Sequence, residues 1–413
     1  MLTEVFDGDI VAELKTMISE SVDFRNESSD QQIEELITKI VLDKSKNLYL
    51  SVHEKRALIK IIFNDMRRLG VLQPLIDDEE ITEIMVNGTK HIFVERAGSI
   101  SETDIQVESE EKLEDMIQGI VSKVNRTVNE TSPLVDARLP DGSRVSVILP
   151  PISLSGPIMS IRKFPAHPLE LSELVDKNTL SAEAADVLSK MVKARYNIFI
   201  CGGTGSGKTT FLNALAAEIA QDERVVTIED SAELNLEKIK NVVSTETRSA
   251  NSQGKGDINT RDLIKMSLRL RPDRIIVGEV RGAEALDMLQ AMNTGHAGSF
   301  STGHANSASD MLRRLETMAL IGASLPLTAI RHQISSALDI IVHLARLRDK
   351  SRRVIEISEL LNLKEGEIEL NPLFIFREND ESVEGSLCGE LSRTENRVIN
   401  TLKFKMAGIR VPL

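Results

Sequence analysis

Eight consecutive residues carry the clearest chemistry in this chain: Gly202-Gly203-Thr204-Gly205-Ser206-Gly207-Lys208-Thr209. They match the pattern GxxxxGK[ST] in full, between an apolar run that reads as a strand and an amphipathic stretch that reads as a helix. Glycines let backbone N–H groups turn inward around phosphate oxygens, and a helix N-terminus adds its partial positive charge to the same anion. Lys208 is placed to reach β- and γ-phosphates and Thr209 to ligate Mg²⁺, with Thr210 next in the nucleotide-binding set. The expected ligand is a nucleoside triphosphate. ATP is the expected one, because no Asn-Lys-x-Asp run follows to read guanine.

Acidic residues at strand ends supply the next candidates. Ile275-Ile276-Val277-Gly278-Glu279 reads as a strand tipped by Glu279, and ligands of parallel sheets sit at that edge. A carboxylate there can orient an attacking water, whereas a solvated strand-end acid is the competing reading. Gly278 stands where a standard second nucleotide motif has Asp, so the metal's outer carboxylate must come from elsewhere. Glu229-Asp230, at the end of another apolar run, can supply it, with helix capping by Asp230 or Ser231 as the alternative. The expected metal set is Thr209, Glu229 and Glu279. His296 and His304 flank the run Ser299–Thr302; beside Thr294, Thr302 and Asn306 they suggest a phosphate sensor. Zinc is disfavoured, since no cysteine or spaced carboxylate joins them. Arg248, Arg271 and Arg281 lie in the nucleotide region. Arg138, Arg144 and Arg162 lie before it, where an arginine could reach a neighbouring subunit's γ-phosphate.

The elements that must position these residues fall into three stretches. Residues 1–69 read as helices, with Ile33, Leu36, Ile37, Ile40 and Val41 at helical spacing and a capping box at Ser51 and Glu54. A polar run, 25–30, reads as a loop. Residues 70–164 read as a mixed α/β segment: strands at 81–86, 91–95, 135–139 and 143–149, and a helix over 111–124. The proline-rich run from Pro150 to Pro168, with a short strand at 158–161, reads as a linker. From 165 onward strands alternate with helices, implying a largely parallel sheet.

Composition sets bounds on function. The 413 residues carry a formal charge of −13, which argues against a protein built chiefly to grip nucleic acid. Two cysteines, Cys201 and Cys388, cannot form a disulfide framework or a CxxC site. No apolar run approaches the ~18–20 residues needed to span a bilayer, and the N-terminus lacks a signal pattern. A cytoplasmic location is expected.

Taken together, Thr227-Ile228-Glu229-Asp230-Ser231-Ala232-Glu233-Leu234, Glu246-Thr247-Arg248, Arg271 through Gly282 and Thr294 through Asn306 resemble the Asp box, second nucleotide motif and His box of the type II and type IV secretion (traffic) ATPases. Upstream, Glu83-Ile84-Met85-Val86-Asn87-Gly88 and Arg138 through Val145 resemble the CpaF branch, the ATPases of tight-adherence pili. The likeness covers about residues 65 to 345, and Gly278 before the catalytic acid is usual in that family.

The resemblance implies an α/β fold: a RecA-like P-loop ATPase domain, a PAS-like α/β N-terminal domain, and here an extra N-terminal helical segment. It implies homohexameric rings, ATP with Mg²⁺, and a partner in the inner-membrane platform of a pilus or secretion machine. It aligns Glu279 with the catalytic glutamate, makes Arg138, Arg144 and Arg162 candidate fingers, and completes the catalytic set with Lys208, Glu229, Arg281 and His304. The rival readings are a hexameric DNA translocase and a nucleotide-binding scaffold without turnover.

Overall fold

The computed structural model describes residues 8–21, 29–45, 50–96, 98–124, 126–164, 168–248, 250, 255–379 and 388–412. Most of the polar run 25–30 and residues 165–167 of the expected linker lie outside them. The chain divides into two compact units, Met1–Pro165 and Ala166–Leu413.

The first unit begins with α1 (Gly8–Ser21), α2 (Asp30–Lys44) and α3 (Val52–Arg67). Ser29 with Gln32, and Ser51 with Glu54, form reciprocal capping boxes that satisfy helix-start N–H groups. Leu14, Ile18, Ile33, Ile37, Val41, Leu58 and Ile62 recur at helical spacing and share one small core. After α4 (Gln73–Asp77) come β1 (Ile81–Asn87), β2 (His91–Arg96), β3 (Ser99–Glu102), α5 (Glu110–Lys123), β4 (Leu134–Arg138), β5 (Arg144–Ile148) and β6 (Ile158–Arg162). Asp65 of α3 pairs with Lys15 of α1 and, at 2.9 Å, with Lys112 of α5, tying the helices to this layer.

The six strands form one antiparallel sheet in the order β3-β2-β1-β6-β5-β4. Alternate residues Ile84, Val86, Ile92, Val94, Val145, Val147, Met159 and Ile161 are buried in one core with Leu113, Ile117 and Val121 of α5. This corrects one expectation. The short strand placed inside the linker is β6, paired on both sides in the middle of the sheet. Its flanking prolines end the strand and leave its own N–H groups free to pair, so Pro150 to Pro157 is a loop inside the unit.

The second unit contains α6 (Leu171–Asp176), α7 (Ala182–Lys193), β7 (Ile198–Gly202), α8 (Lys208–Ala216), β8 (Arg224–Glu229), β9 (Asn241–Glu246), α9 (Thr260–Ser267), β10 (Arg274–Val277), α10 (Glu284–Asn293), β11 (Phe300–Gly303), α11 (Ala308–Gly322), α12 (Leu327–Ala337), β12 (Ile340–Arg346), β13 (Arg352–Lys364), β14 (Glu367–Glu378), β15 (Gly389–Arg393) and α13 (Leu402–Met406). Its sheet runs β15-β14-β13-β12-β7-β11-β10-β8-β9. The six strands from β12 to β9 are parallel, and β13, β14 and β15 extend them antiparallel. Along β7, Ile198 and Ile200 pack with α7 and α8, while Phe199 and Cys201 pack with α10, α11 and α12. Helices therefore cover both faces, which is why β7, at the centre, is apolar on both of them.

One end of this sheet is fastened by Arg274, which is fully buried. Its guanidinium grips Glu223 with two bonds of 2.8 and 2.9 Å and donates to the carbonyls of Val192 and Gly298. A buried charge needs such full satisfaction. The opposite end, where β7, β8, β10 and β11 terminate, is where the candidate residues collect.

Candidate nucleotide site

At the end of β7, Gly202 has no space for a side chain: a Cβ would lie 2.3 Å from the Leu344 carbonyl oxygen. The chain then turns through Gly205 and Gly207, at φ +70° and +92°, in the left-handed region that glycine adopts without strain. It enters α8 with no side chain capping the helix, so the first N–H groups of α8 face the loop without a side-chain acceptor. Ser206 Oγ closes the turn on the Gly203 carbonyl at 2.9 Å. Thr204 lies exposed on the loop, and Thr209 and Thr210 follow Lys208 in the first turn of α8.

Lys208 is buried, and its Nζ donates to the carbonyls of Gly203 at 2.9 Å and Gly202 at 3.2 Å. Burial holds its pKa below the usual lysine value, opposed by the nearby charge of Glu279. Among the described residues no carboxylate pairs with this ammonium. A buried cation beside an uncapped helix start is a site that an anion completes.

The Lys208 ammonium also lies 3.3 Å from Nδ1 of His304, which follows β11. On the far side of the ring, Nε2 stands 3.1 Å from Oε1 of Glu279, which follows β10. An ammonium can only donate, so Nδ1 accepts from Lys208, and Nε2 faces the carboxylate as a charge contact rather than a formed hydrogen bond. The ring is neutral in this arrangement. Its pKa is depressed, first by burial and then by the Lys208 charge, with Glu279 pulling the other way. Arg281 takes the other carboxylate oxygen, Oε2, at 2.9 Å and reaches Asp230 at 3.8 Å.

A pH dependence follows. The folded-state pKa of His304 lies below its ordinary value of 6.5, so the folded protein holds fewer protons than the unfolded chain between those two values. The stability His304 contributes is present in full above the ordinary value and declines as pH falls toward the depressed one. Comparing denaturant midpoints of the wild type and His304→Gln across pH 5 to 8 should show the wild-type advantage shrinking on the acid side. A difference constant across that range would contradict the neutral bridging ring.

Glu229, at the tip of β8, is buried, and its Oε1 accepts from the N–H groups of Glu233 and Leu234 at 2.9 and 3.1 Å. It thereby orders the loop that follows. It also explains Gly278: a Cβ there would stand 2.9 Å from Glu229 Cγ, so the Asp of a standard motif has no room. Gly278→Ala should displace Glu229 and destabilise by about 1–3 kcal/mol, the usual cost of overpacking. A melting temperature unchanged within a degree would show that Glu229 is not held as described.

Several expectations change here. Neither Asp230 nor Ser231 caps a helix: no described helix begins between β8 and β9, and Asn259 caps α9. Asp230 instead accepts from the hydroxyl of Thr260 at 3.3 Å. His296 is not in the site; its Nδ1 meets the Ala291 carbonyl at the end of α10, with β11 between it and His304. Arg248 Nε donates to the Gly256 carbonyl at 2.7 Å.

Arg138, Arg144 and Arg162 all lie in the first unit. Arg138 pairs with Arg144 across β4 and β5, and Arg144 with Arg162 across β5 and β6, so the three form one row on the open face of that sheet. Asp136 lies 3.4 Å from Arg144, and Glu83 is the cross-strand partner of Arg162. Two features go unread in the sequence. One is a cleft of about 540 Å³ beside the loop, lined by Thr204, His304, Asn306, Asp310, Arg313 and Arg314. The other is Arg352, whose Nε donates to the Gly205 carbonyl at 3.0 Å. The basic run Arg346 to Arg353 is the only trace of it in the sequence.

Nucleotide and metal can be tested against these groups. The left-handed glycines, the uncapped helix start and the buried Lys208 fit a polyphosphate. Among the described residues no cluster of three acidic, histidine or cysteine side chains could hold a metal alone. Mg²⁺ keeps several waters and binds through one or two protein oxygens plus phosphates, and the Thr209 hydroxyl in the first turn of α8 is an oxygen of that kind.

A parallel sheet covered on both faces, with this loop at the C-terminal end of β7, defines a P-loop protein of RecA-like fold. Residues 65–388 match the family described as Type II/IV secretion system protein, and the chain belongs to that family. It is 36% identical over 293 residues to the conjugal transfer protein TrbB of Rhizobium radiobacter, covering 68% of this chain and 84% of TrbB. It is 32% identical over 316 residues to the type IV secretion system protein PtlH of Bordetella pertussis, covering 70% and 93%. Among solved structures, the pilus retraction motor PilT with bound ADP matches with a TM-score of 0.52 at 20% identity, over 82% of this chain and 87% of that one. The Legionella pneumophila ATPase DotB matches at 0.51 and 21%, over 70% and 79%. These two likenesses bear on the fold. Among the described residues no helix is long and apolar enough to cross a membrane.

Proposed function

We propose that this chain hydrolyses Mg·ATP as a homohexameric motor at the cytoplasmic face of the cell membrane, driving a pilus or secretion machine of the tight-adherence (CpaF) type. The observation that supports it most is the chain of contacts Lys208–His304–Glu279. It links the residue suited to hold the terminal phosphates to the residue suited to orient water, through a neutral histidine that senses both. In this reading residues 202–210 would hold ATP, and Thr209, with Glu229 and Glu279, would hold Mg²⁺. The metal held there would supply positive charge to the phosphates. Arg281 and His304 hold the Glu279 carboxylate until a nucleotide replaces their contacts. Residues 1–69, 70–164 and 165–413 act as helical segment, PAS-like domain and ATPase domain. The arginine row Arg138–Arg144–Arg162 meets the γ-phosphate held by a neighbouring subunit, so hydrolysis alters the contact between copies and moves them as rigid bodies. The partner is an inner-membrane platform protein, and nucleic acid has no part.

The test combines sedimentation with phosphate release. A hexamer whose Mg·ATP turnover ignores added DNA supports the proposal. A monomer that turns over at full rate sinks the ring, DNA-stimulated turnover favours a translocase, and a folded, ATP-bound ring without phosphate release favours a scaffold.

A further inference from the structure

We propose that Arg352 is a nucleotide-binding residue, contacting the α-phosphate from the flank of the loop opposite Glu279; this rests on the nucleotide reading above. The geometry starts with β7, which lies between β11 and β12. The residues suited to the reacting phosphate, His304 and Glu279, follow β11 and β10 and so lie on one flank of the loop. A triphosphate with its terminal end there must run its nucleoside end away from them, toward the β12 flank.

That flank is basic and held against the loop. Leu344 of β12 pairs with Gly202, and its carbonyl leaves Gly202 no room for a Cβ. β12 then runs on past the end of β7, so Arg346 and its direct partner Arg352 of β13 project beyond the paired strands. Two other basic residues of this hairpin are engaged elsewhere. Arg348 pairs with Glu378, and Arg353 donates to the Asn178 carbonyl and lies over the Phe376 ring. The turn's acid, Asp349, is occupied by Ser351.

Arg352 engages the loop. A Cβ on Gly207 would be 3.3 Å from its Cδ, and its Nε donates to the Gly205 carbonyl. That bond fixes the peptide plane whose N–H belongs to Ser206. Among the described residues no acidic side chain pairs with the Arg352 guanidinium, and its two Nη groups remain for an anion. A planar fork of donors suits a phosphate better than a point charge does.

The experiment measures Mg·ADP and Mg·ATP affinity by calorimetry, with kcat, for the full chain and for Arg352→Ala and Arg352→Lys. We expect Arg352→Ala to weaken both nucleotides about tenfold, with kcat within about twofold of wild type. Arg352→Lys should recover part of the affinity. Unchanged affinity overturns the assignment. So does a fall in kcat matching the fall in affinity, which marks a residue that only props the loop. Wild-type chain that binds neither nucleotide would instead overturn the nucleotide reading itself, before any variant is compared.

Discussion

Lys208→Met should weaken nucleotide binding roughly tenfold to a hundredfold, and leave the free protein as stable as before or slightly more so. The two effects have opposite signs for one reason. Lys208 is buried without a carboxylate partner, and burial lowers its pKa. Below the depressed value the ammonium is charged in both folded and unfolded states, so there the folded chain carries a desolvation cost. That cost is relieved as pH rises through the depressed pKa, or when methionine replaces the charge. With a polyphosphate in place the same ammonium donates to charged oxygens, bonds worth about 1.5–3 kcal/mol, or roughly tenfold to a hundredfold in affinity. Wild type at a hundred times its Kd gains about 2.7 kcal/mol from ligand. Differential scanning of both proteins with and without Mg·ADP reads both effects. A variant that is stabilised by Mg·ADP as strongly as wild type would contradict the placement of Lys208 at the phosphates.

Glu279→Gln separates binding from turnover. The substitution keeps the shape of the side chain beside His304, but removes the charge that can orient a water and take its proton. We expect kcat to fall by roughly 10²–10⁴-fold, the range for loss of a general base, with ADP affinity within a few-fold of wild type. The contact with Arg281 at 2.9 Å weakens too, which loosens the side chain without unmaking the site. A variant with near-normal turnover would move the base to another residue, Glu229 being the other strand-end candidate.

The sequence is most legible where function is local. The phosphate loop, its strand and its helix occupy one continuous stretch, and their glycines are required by φ and by close approach at Gly202. The convergence of Lys208, Glu279 and His304 comes from three parallel strand ends, so spacing alone cannot give their distances. Longer motifs mix two jobs. In Arg271 to Glu279, Arg274 locks the far end of β10 and only Glu279 reaches the site. In His296 to His304, Gly298 makes room for Arg274 and Ser299 accepts the Ile275 N–H, leaving His304 as the site residue. Both motifs therefore read as one functional unit until the strand between their ends is seen.

Non-local pairing is the part the sequence hides. β6 has five residues between proline-rich flanks, and its place between β1 and β5 depends on partners about 75 and 15 residues away. The arginine row exists only because those registers align. Helices α11 and α12 go unread between His304 and Asp339, although Met311, Leu312, Leu315, Met318 and Ala319 have helical spacing. Arg352 comes from β13, 147 residues after the carbonyl it holds, and no motif marks it.

The most direct measurement is phosphate release under saturating Mg·ATP by wild type and Glu279→Gln, with bound nucleotide quantified in the same samples. We expect steady release from the wild type, release at least a hundredfold slower from the variant, and equal nucleotide occupancy in both. Full occupancy with no release from the wild type, or equal release from the two, would contradict an ATP-hydrolysing site built on Lys208, His304 and Glu279.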